Sequence, residues 1–198
     1  MTVEIEYSQD IDLPQWLLDR VDGDELLAGL LIQRGIDTQK EVEQFLHPAS
    51  YQPAEAADFP GLEEAADLIL KAASRGANIT VYGDYDADGV TSTAILVTML
   101  EAVAEEVGYH IPDRFSEGYG LDKGVIKDLA QQGVDLIITC DCGISNHEEV
   151  SLAKELGLDI IVTDHHDLPE KLPHSADAIV SPKLLEEEHQ AYHLPGAG

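Results

Sequence analysis

Three stretches of the chain place metal-grade ligands directly behind short apolar runs. The first is ITVYGDYDADGVTST, where Asp84, Asp86 and Asp88 stand at alternate positions between Gly83 and Gly89. Carboxylates this close repel one another, and a bound divalent cation offsets that repulsion, since carboxylate oxygens suit Mn²⁺ or Mg²⁺. The spacing D-x-D-x-D-G also opens an EF-hand loop. Its twelfth position here is Ile95, where that loop needs a bidentate Glu, and a strand precedes it. A solvated acidic turn is the plain alternative for this stretch taken alone.

The second stretch, LIITCDCGISN, carries Asp141 straight off an apolar run, with Gly143 allowing a sharp turn. Cys140 and Cys142 flank it. One intervening residue makes a disulfide between them strained, and alternation sends their side chains to opposite faces, so both read as small packing residues. The third stretch, IIVTDHHDLP, presents Asp164, His165, His166 and Asp167. Imidazole is a common metal ligand, and a neighbouring carboxylate can orient the ring. A fourth, IPDRFSEGYGL, holds Arg114 before a Gly-Tyr-Gly turn. Arg114 either grips a substrate phosphate bidentately or pairs with Asp113 or Glu117, and spacing alone leaves both open.

The elements around these clusters alternate. The composition predicts strands over Asn78–Tyr82, Val107–Ile111, Asp135–Cys140, Asp159–Thr163 and Ala178–Ser181. Helices are expected over Leu62–Ser74, Val90–Glu106, Lys123–Gln132 and His147–Leu156. Nearly all-apolar strands separated by such helices imply right-handed βαβ units. The expected fold is therefore α/β: a Rossmann-like, mostly parallel sheet with helices on both faces and its active edge at the carboxyl ends of the strands. Residues 1–58 read as a small helical lead-in and connector, and 59–198 as the catalytic domain. In the lead-in, Asp24–Gln33 suits a helix, and Thr38 with Glu41 gives the capping-box pattern before a second one ending at Pro48.

Bulk composition pulls against a nucleic-acid substrate. The 198 residues hold 39 acidic side chains against 11 Lys plus Arg, a formal net charge of −28. Phosphate binding ordinarily needs a basic surface. A cell that favours acidic proteins, a basic groove in sequence outside this chain, or the charge of bound metal would each reconcile the two. Two cysteines do not make a disulfide framework, and a reducing, cytoplasmic setting is expected. The acidic opening MTVEIEYSQDID is unlike a signal peptide, and no apolar run approaches the roughly 20 residues of a membrane span.

Taken together, YGDYDADGVTST, IPDRFSEGYGL, TCDCGIS and VTDHH resemble, in order and approximate spacing, the motifs of the RecJ branch of the DHH phosphoesterase family. The lead-in LLAGLLIQRGIDTQKEVEQFLHP is similar to the region that precedes the RecJ core. The resemblance implies a two-Mn²⁺ site, with Mg²⁺ as substitute, and 5′-to-3′ degradation of single-stranded DNA, rather than RNA, in repair and recombination. Nucleoside 5′-monophosphates would be released. A helicase and a single-strand-binding protein are the implied partners.

By motif position the implied metal ligands are Asp86, Asp88, Asp141 and His165, with Asp141 touching both ions. Asp84 stands close enough to assist catalysis. His166 would face the scissile phosphate, and Arg114, Gly118, Tyr119 and Gly120 would shape the substrate side. Other branches carry a metal-ligating His at the position of Tyr82, which argues against the pyrophosphatase and oligonucleotide-degrading branches. The family pattern continues past YHLPGAG with another Asp ligand and a second domain, so the chain is expected to be a C-terminally truncated piece with weak metal binding and little activity by itself. Two alternatives stand: a DHH phosphodiesterase for short oligonucleotides or cyclic dinucleotides, which suits the acidic surface, and an inactive RecJ-like replication scaffold.

Overall fold

The computed structural model describes residues 12–198, so all but the last residue of the acidic opening segment lies outside it. The described chain falls into two compact units, divided between Pro53 and Ala54. The first holds three short helices, α1 (Gln15–Arg20), α2 (Glu25–Gln33) and α3 (Gln39–Leu46). They close over Leu17, Val21, Ala28, Leu31 and Val42. Asp24 caps α2 by accepting from Leu27 N, and Thr38 and Glu41 form the expected reciprocal box at the start of α3. Helix α1 is an addition to the expected elements; it buries only Leu17 and follows a proline, which leaves little periodic signal.

The second unit is a five-stranded, wholly parallel sheet in the order β2-β1-β3-β4-β5. Its strands are β1 (Asn78–Tyr82), β2 (Glu106–His110), β3 (Leu136–Thr139), β4 (Asp159–Thr163) and β5 (Ala178–Val180). The helices are α4 (Leu62–Ser74), α5 (Ala87–Leu100), α6 (Lys123–Gln131) and α7 (His147–Glu155). Alternation along the strands divides the core in two. Ile137, Ile160 and Val162 pack with Ile126 and Leu129 of α6 and Val150 and Ala153 of α7. Ile79, Val81, Leu136, Ile138 and Ile161 pack on the opposite face with Ala65 and Ala72 of α4 and Leu100 of α5. Burial of both faces explains why β3 reads LIIT, with no polar alternation.

Strand β1 lies between β2 and β3, so the chain crosses outward after β1 and returns to its other side for β3. The reversal opens a crevice beyond the carboxyl ends of β1 and β3, where open α/β sheets place their ligands. One expected helix is corrected here. In place of Val90–Glu106, α5 starts at Ala87 and stops at Leu100, because Asp86 caps it early and Glu106 already belongs to β2. Asp88 therefore sits in the first helical turn and not in a loop. No helix among the described residues is long and apolar enough to cross a membrane.

Candidate metal centre

The acidic motif after β1 is shaped by the start of α5. Asp86 is the N-cap, and its Oδ1 accepts from the backbone N–H of Asp88 at 2.8 Å and of Gly89 at 2.9 Å. The Gly89 N–H, foremost among these contacts, holds the Asp86 carboxyl below its ordinary value. Asp84 is buried beside it. A Cβ at Gly89 would come within 2.6 Å of Asp84, so glycine is what lets the helix start this close. Burial, and then the charge of Asp86, push the Asp84 carboxyl up, and its Oδ1 has no hydrogen-bond partner.

Asp141 reaches the crevice from β3 in a left-handed backbone conformation, φ 61°. Aspartate is among the few L residues that tolerate this region. The turn is fixed from beneath by Thr139, whose buried hydroxyl donates to Cys142 O at 2.8 Å while Thr163 Oγ1 donates to Thr139 O at 2.7 Å. The two cysteines are buried and free, Cys140 in the α4/α5 core and Cys142 in the α6/α7 core. Asp141 is 1% exposed, and neither carboxylate oxygen is hydrogen-bonded. His165 Nε2 lies 2.9 Å from Oδ1, an ion-pair distance outside hydrogen-bond geometry. Burial first, then the charges of Asp88 and Asp86, raise its pKa to about 6.

Beyond β4, Asp164 acts as a bracket. Its Oδ2 accepts from Ile144 N at 2.9 Å, and its Oδ1 accepts from His166 N and faces His166 Nδ1 at 2.7 Å. Burial works against the His166 imidazolium, but the hydrogen bond and charge of Asp164 outweigh it, so the His166 pKa is raised. The Tyr119 hydroxyl stands 3.2 Å from His166 Nδ1 and 3.3 Å from Nε2, with the rings edge to face. With Nδ1 directed at Asp164, Nε2 remains free to accept from Tyr119 or, protonated, to donate outward.

Two groups of potential ligands converge: Asp84, Asp86 and Asp141, and Asp141, His165 and His166. Within each, the donor atoms lie within 4.8 Å of one another, and Asp141 belongs to both. The donor set is carboxylate oxygen with imidazole nitrogen and no thiolate, which suits a hard divalent cation. Orphaned, buried carboxylate oxygens at Asp84 and Asp141 fit the same group, because such atoms are costly without a partner. Asp88 belongs to neither group but borders them. Its Oδ2 is 3.4 Å from His165 Nε2, and its two oxygens accept from Gly196 N and Ala197 N, each at 2.8 Å.

The IPDRFSEGYGL stretch forms a loop next to this cluster, where Tyr119 meets His166. Of the two readings of Arg114, neither acid pairing is seen: Asp113 accepts from Phe115 N, Ser116 N and Ser116 Oγ, and Glu117 pairs with His110. The Arg114 guanidinium lies 5.3 Å over the ring of Tyr85. Phe115, which sequence reasoning passed over, is 96% exposed. Gly118 and Gly120 take positive φ around Tyr119. Gly196 and Ala197 were also missed, and nothing local marks them, since they meet Asp88 across more than 100 residues.

Residues 78–192 match the DHH family, N-terminal domain. The chain is 42% identical over 189 residues to the single-stranded-DNA-specific exonuclease RecJ of Bacillus subtilis (strain 168), covering 96% of this chain and 24% of that one. It is 36% identical over 194 residues to RecJ of Escherichia coli (strain K12), covering 98% and 32%. Among solved structures, exonuclease RecJ bound to manganese superposes with TM-score 0.66 at 40% identity, over 74% of this chain and 37% of that one. RecJ of Thermus thermophilus in complex with Mn²⁺ gives 0.68 at 33%, over 95% and 26%. The chain thus spans about a quarter to a third of the length of the curated relatives it matches.

Proposed function

The chain belongs to the DHH family, as a RecJ-type N-terminal region, and from that premise we propose that it carries the hydrolytic centre of a 5′-to-3′ exonuclease acting on single-stranded DNA, in a cytoplasmic setting. Manganese is the proposed ion and magnesium a substitute; one imidazole or more among carboxylates favours the softer of the two. The observation that carries this reading is Asp141, a buried carboxylate without a hydrogen-bond partner that is common to both ligand groups.

Divalent cations held between these residues would stabilise the charge that develops on the phosphoryl oxygens and acidify the attacking water. The chain's own side chains do the rest. Asp86, fixed by two backbone amides, and Asp141, fixed by the Thr139 turn, present carboxylates that need no rearrangement. His166, oriented by Asp164, would donate from Nε2 to a phosphate oxygen. Arg114 would pair with a neighbouring phosphate, and the exposed Phe115 ring offers a face on which a base can stack. The few cations of this surface leave strand binding to such local contacts.

The test uses the gene product that contains this chain, with Mn²⁺, on long single strands labelled at either end, beside Asp141→Ala. Mononucleotide release from the 5′ end, lost in the variant, is expected. Undiminished turnover in Asp141→Ala, or cleavage of dinucleotides but not of long strands, would overturn the proposal.

A further inference from the structure

We propose that Tyr82 is a positioning residue: its hydroxyl ties residues 113–122 to the end of β1 and thereby keeps the Tyr119 hydroxyl against His166. Tyr82 is 0% exposed, and its ring sits in the core shared with Leu121 and Ile126. The hydroxyl is the only polar atom it brings there, and both of its functions are used. It donates to Gly120 O at 3.3 Å and accepts from Asp122 N at 3.1 Å. Asp122 in turn caps α6, accepting from Gly124 N at 2.7 Å and Val125 N at 3.0 Å. One phenol oxygen therefore joins the last residue of β1 to the point where the loop becomes helix.

The other side of the loop is held from the neighbouring strand. His110 ends β2, its ring centroid lies 4.9 Å from that of Tyr82 at a tilt of 50°, and it pairs with Glu117 at 2.7 Å. Glu117 and Gly120 are thus both anchored, and the residues between them have one outward contact of note, Tyr119 with His166. Moving Gly120 moves Tyr119, because a single peptide unit separates them. A phenylalanine at position 82 would keep the ring and its packing but leave Gly120 O and Asp122 N without their partner. Histidine, whose ring nitrogens lie nearer the backbone than a phenol oxygen does, could not reach both.

The test compares Tyr82→Phe with the full chain and with Ile79→Val, a mild core destabiliser on the opposite face of the same strand. Backbone amide exchange, the His166 ring resonances, Mn²⁺ affinity and affinity for a hydrolysis-resistant single-stranded oligonucleotide are read in each. Tyr82→Phe should speed exchange of residues 113–122 by about tenfold and shift the His166 resonances, leaving Mn²⁺ affinity as it was. Ile79→Val should do neither. Tyr119→Phe, which leaves the core intact, should shift the same resonances, and the double variant should add nothing further.

Unchanged exchange and resonances in Tyr82→Phe would overturn the proposal, as would loss of Mn²⁺ binding as the leading effect, which would place the phenol at the metal instead. Only the oligonucleotide arm rests on the function proposed above. A loosened loop in a chain whose parent binds no strand would refute that function and leave the latch standing. Should Tyr82→Phe fail to fold, unmoved His166 resonances in Tyr119→Phe would overturn the latch by themselves.

Discussion

Replacing Asp141 by asparagine should make the metal-free protein more stable. Asp141 ionises near pH 6 in the fold against an ordinary value of 3.8. The folded state therefore holds the proton more tightly than the unfolded chain, and the sign follows. Below pH 3.8 the group is protonated in both states and costs nothing; the cost grows between 3.8 and about 6 and is complete above. At pH 8 the difference amounts to about 3 kcal/mol against folding. Asparagine keeps the shape, tolerates the φ of 61° as well as aspartate does, and offers N–H donors to the neighbouring carboxylates. Allowing about 1 kcal/mol for burying the amide, the net gain is about 2 kcal/mol, or about 4–8 °C in Tm for a chain of this size.

Thermal unfolding in EDTA at pH 8 and at pH 5, with and without Mn²⁺, is the assay. The cost of the charge should shrink by about half at pH 5, and the net gain should fall to about 0.6 kcal/mol. Mn²⁺ should raise the Tm of the parent, by about 2.7 kcal/mol of stabilisation at a hundredfold excess over Kd, and leave the variant unmoved. Asp128→Asn, an exposed site on α6, controls for the loss of one charge from a total of −28. A variant that melts below the parent in EDTA at pH 8, or that responds to Mn²⁺ as the parent does, refutes the reasoning.

Mn²⁺ affinity should fall as pH drops below about 6, where a proton competes at Asp141; calorimetry in buffers of different ionisation enthalpy should detect proton release on binding at pH 6 and little at pH 8. Arg114→Ala should weaken binding of a single-stranded oligonucleotide by about tenfold in fluorescence anisotropy, with Mn²⁺ affinity unaltered. Equal affinity for the strand would remove Arg114 from the substrate side. Asp164→Asn should lower the His166 pKa, since that carboxylate is what raises it, and should cost about 1–3 kcal/mol of stability through the weakened bracket on Ile144 N. A His166 titration that does not move would mean another group sets its charge.

What was legible in the sequence is what local chemistry determines. Strands β1 and β4 begin and end where their apolar runs meet turn residues, and α4 fills its expected span. The boundary of α5 was missed because AILVTML runs on into EAVAEE without a break in helix propensity, while the turn at 101–103 and the pairing of Glu106 with Asn78 are tertiary facts. The same division runs through the site. Asp84, Asp86, Asp141, His165 and His166 announce themselves by type and by their place behind strands. That Asp164 spans Ile144 and His166, or that Asp88 meets Gly196, depends on which strands are neighbours, and strand order is not written in periodicity.

Because β1 pairs with β3, Ile79 meets Leu136, 57 positions further along the chain. The acidic centre joins segments that are strangers until that pairing forms: the Asp84–Asp86 stretch, Asp141, and the His165–His166 pair. Asp84 and Asp86 are neighbours in any conformation, but their buried meeting with Asp141 waits for the sheet to bring the two segments together. A cation that needs all three segments would bind the assembled sheet, in contrast to the small domains that a metal must fold.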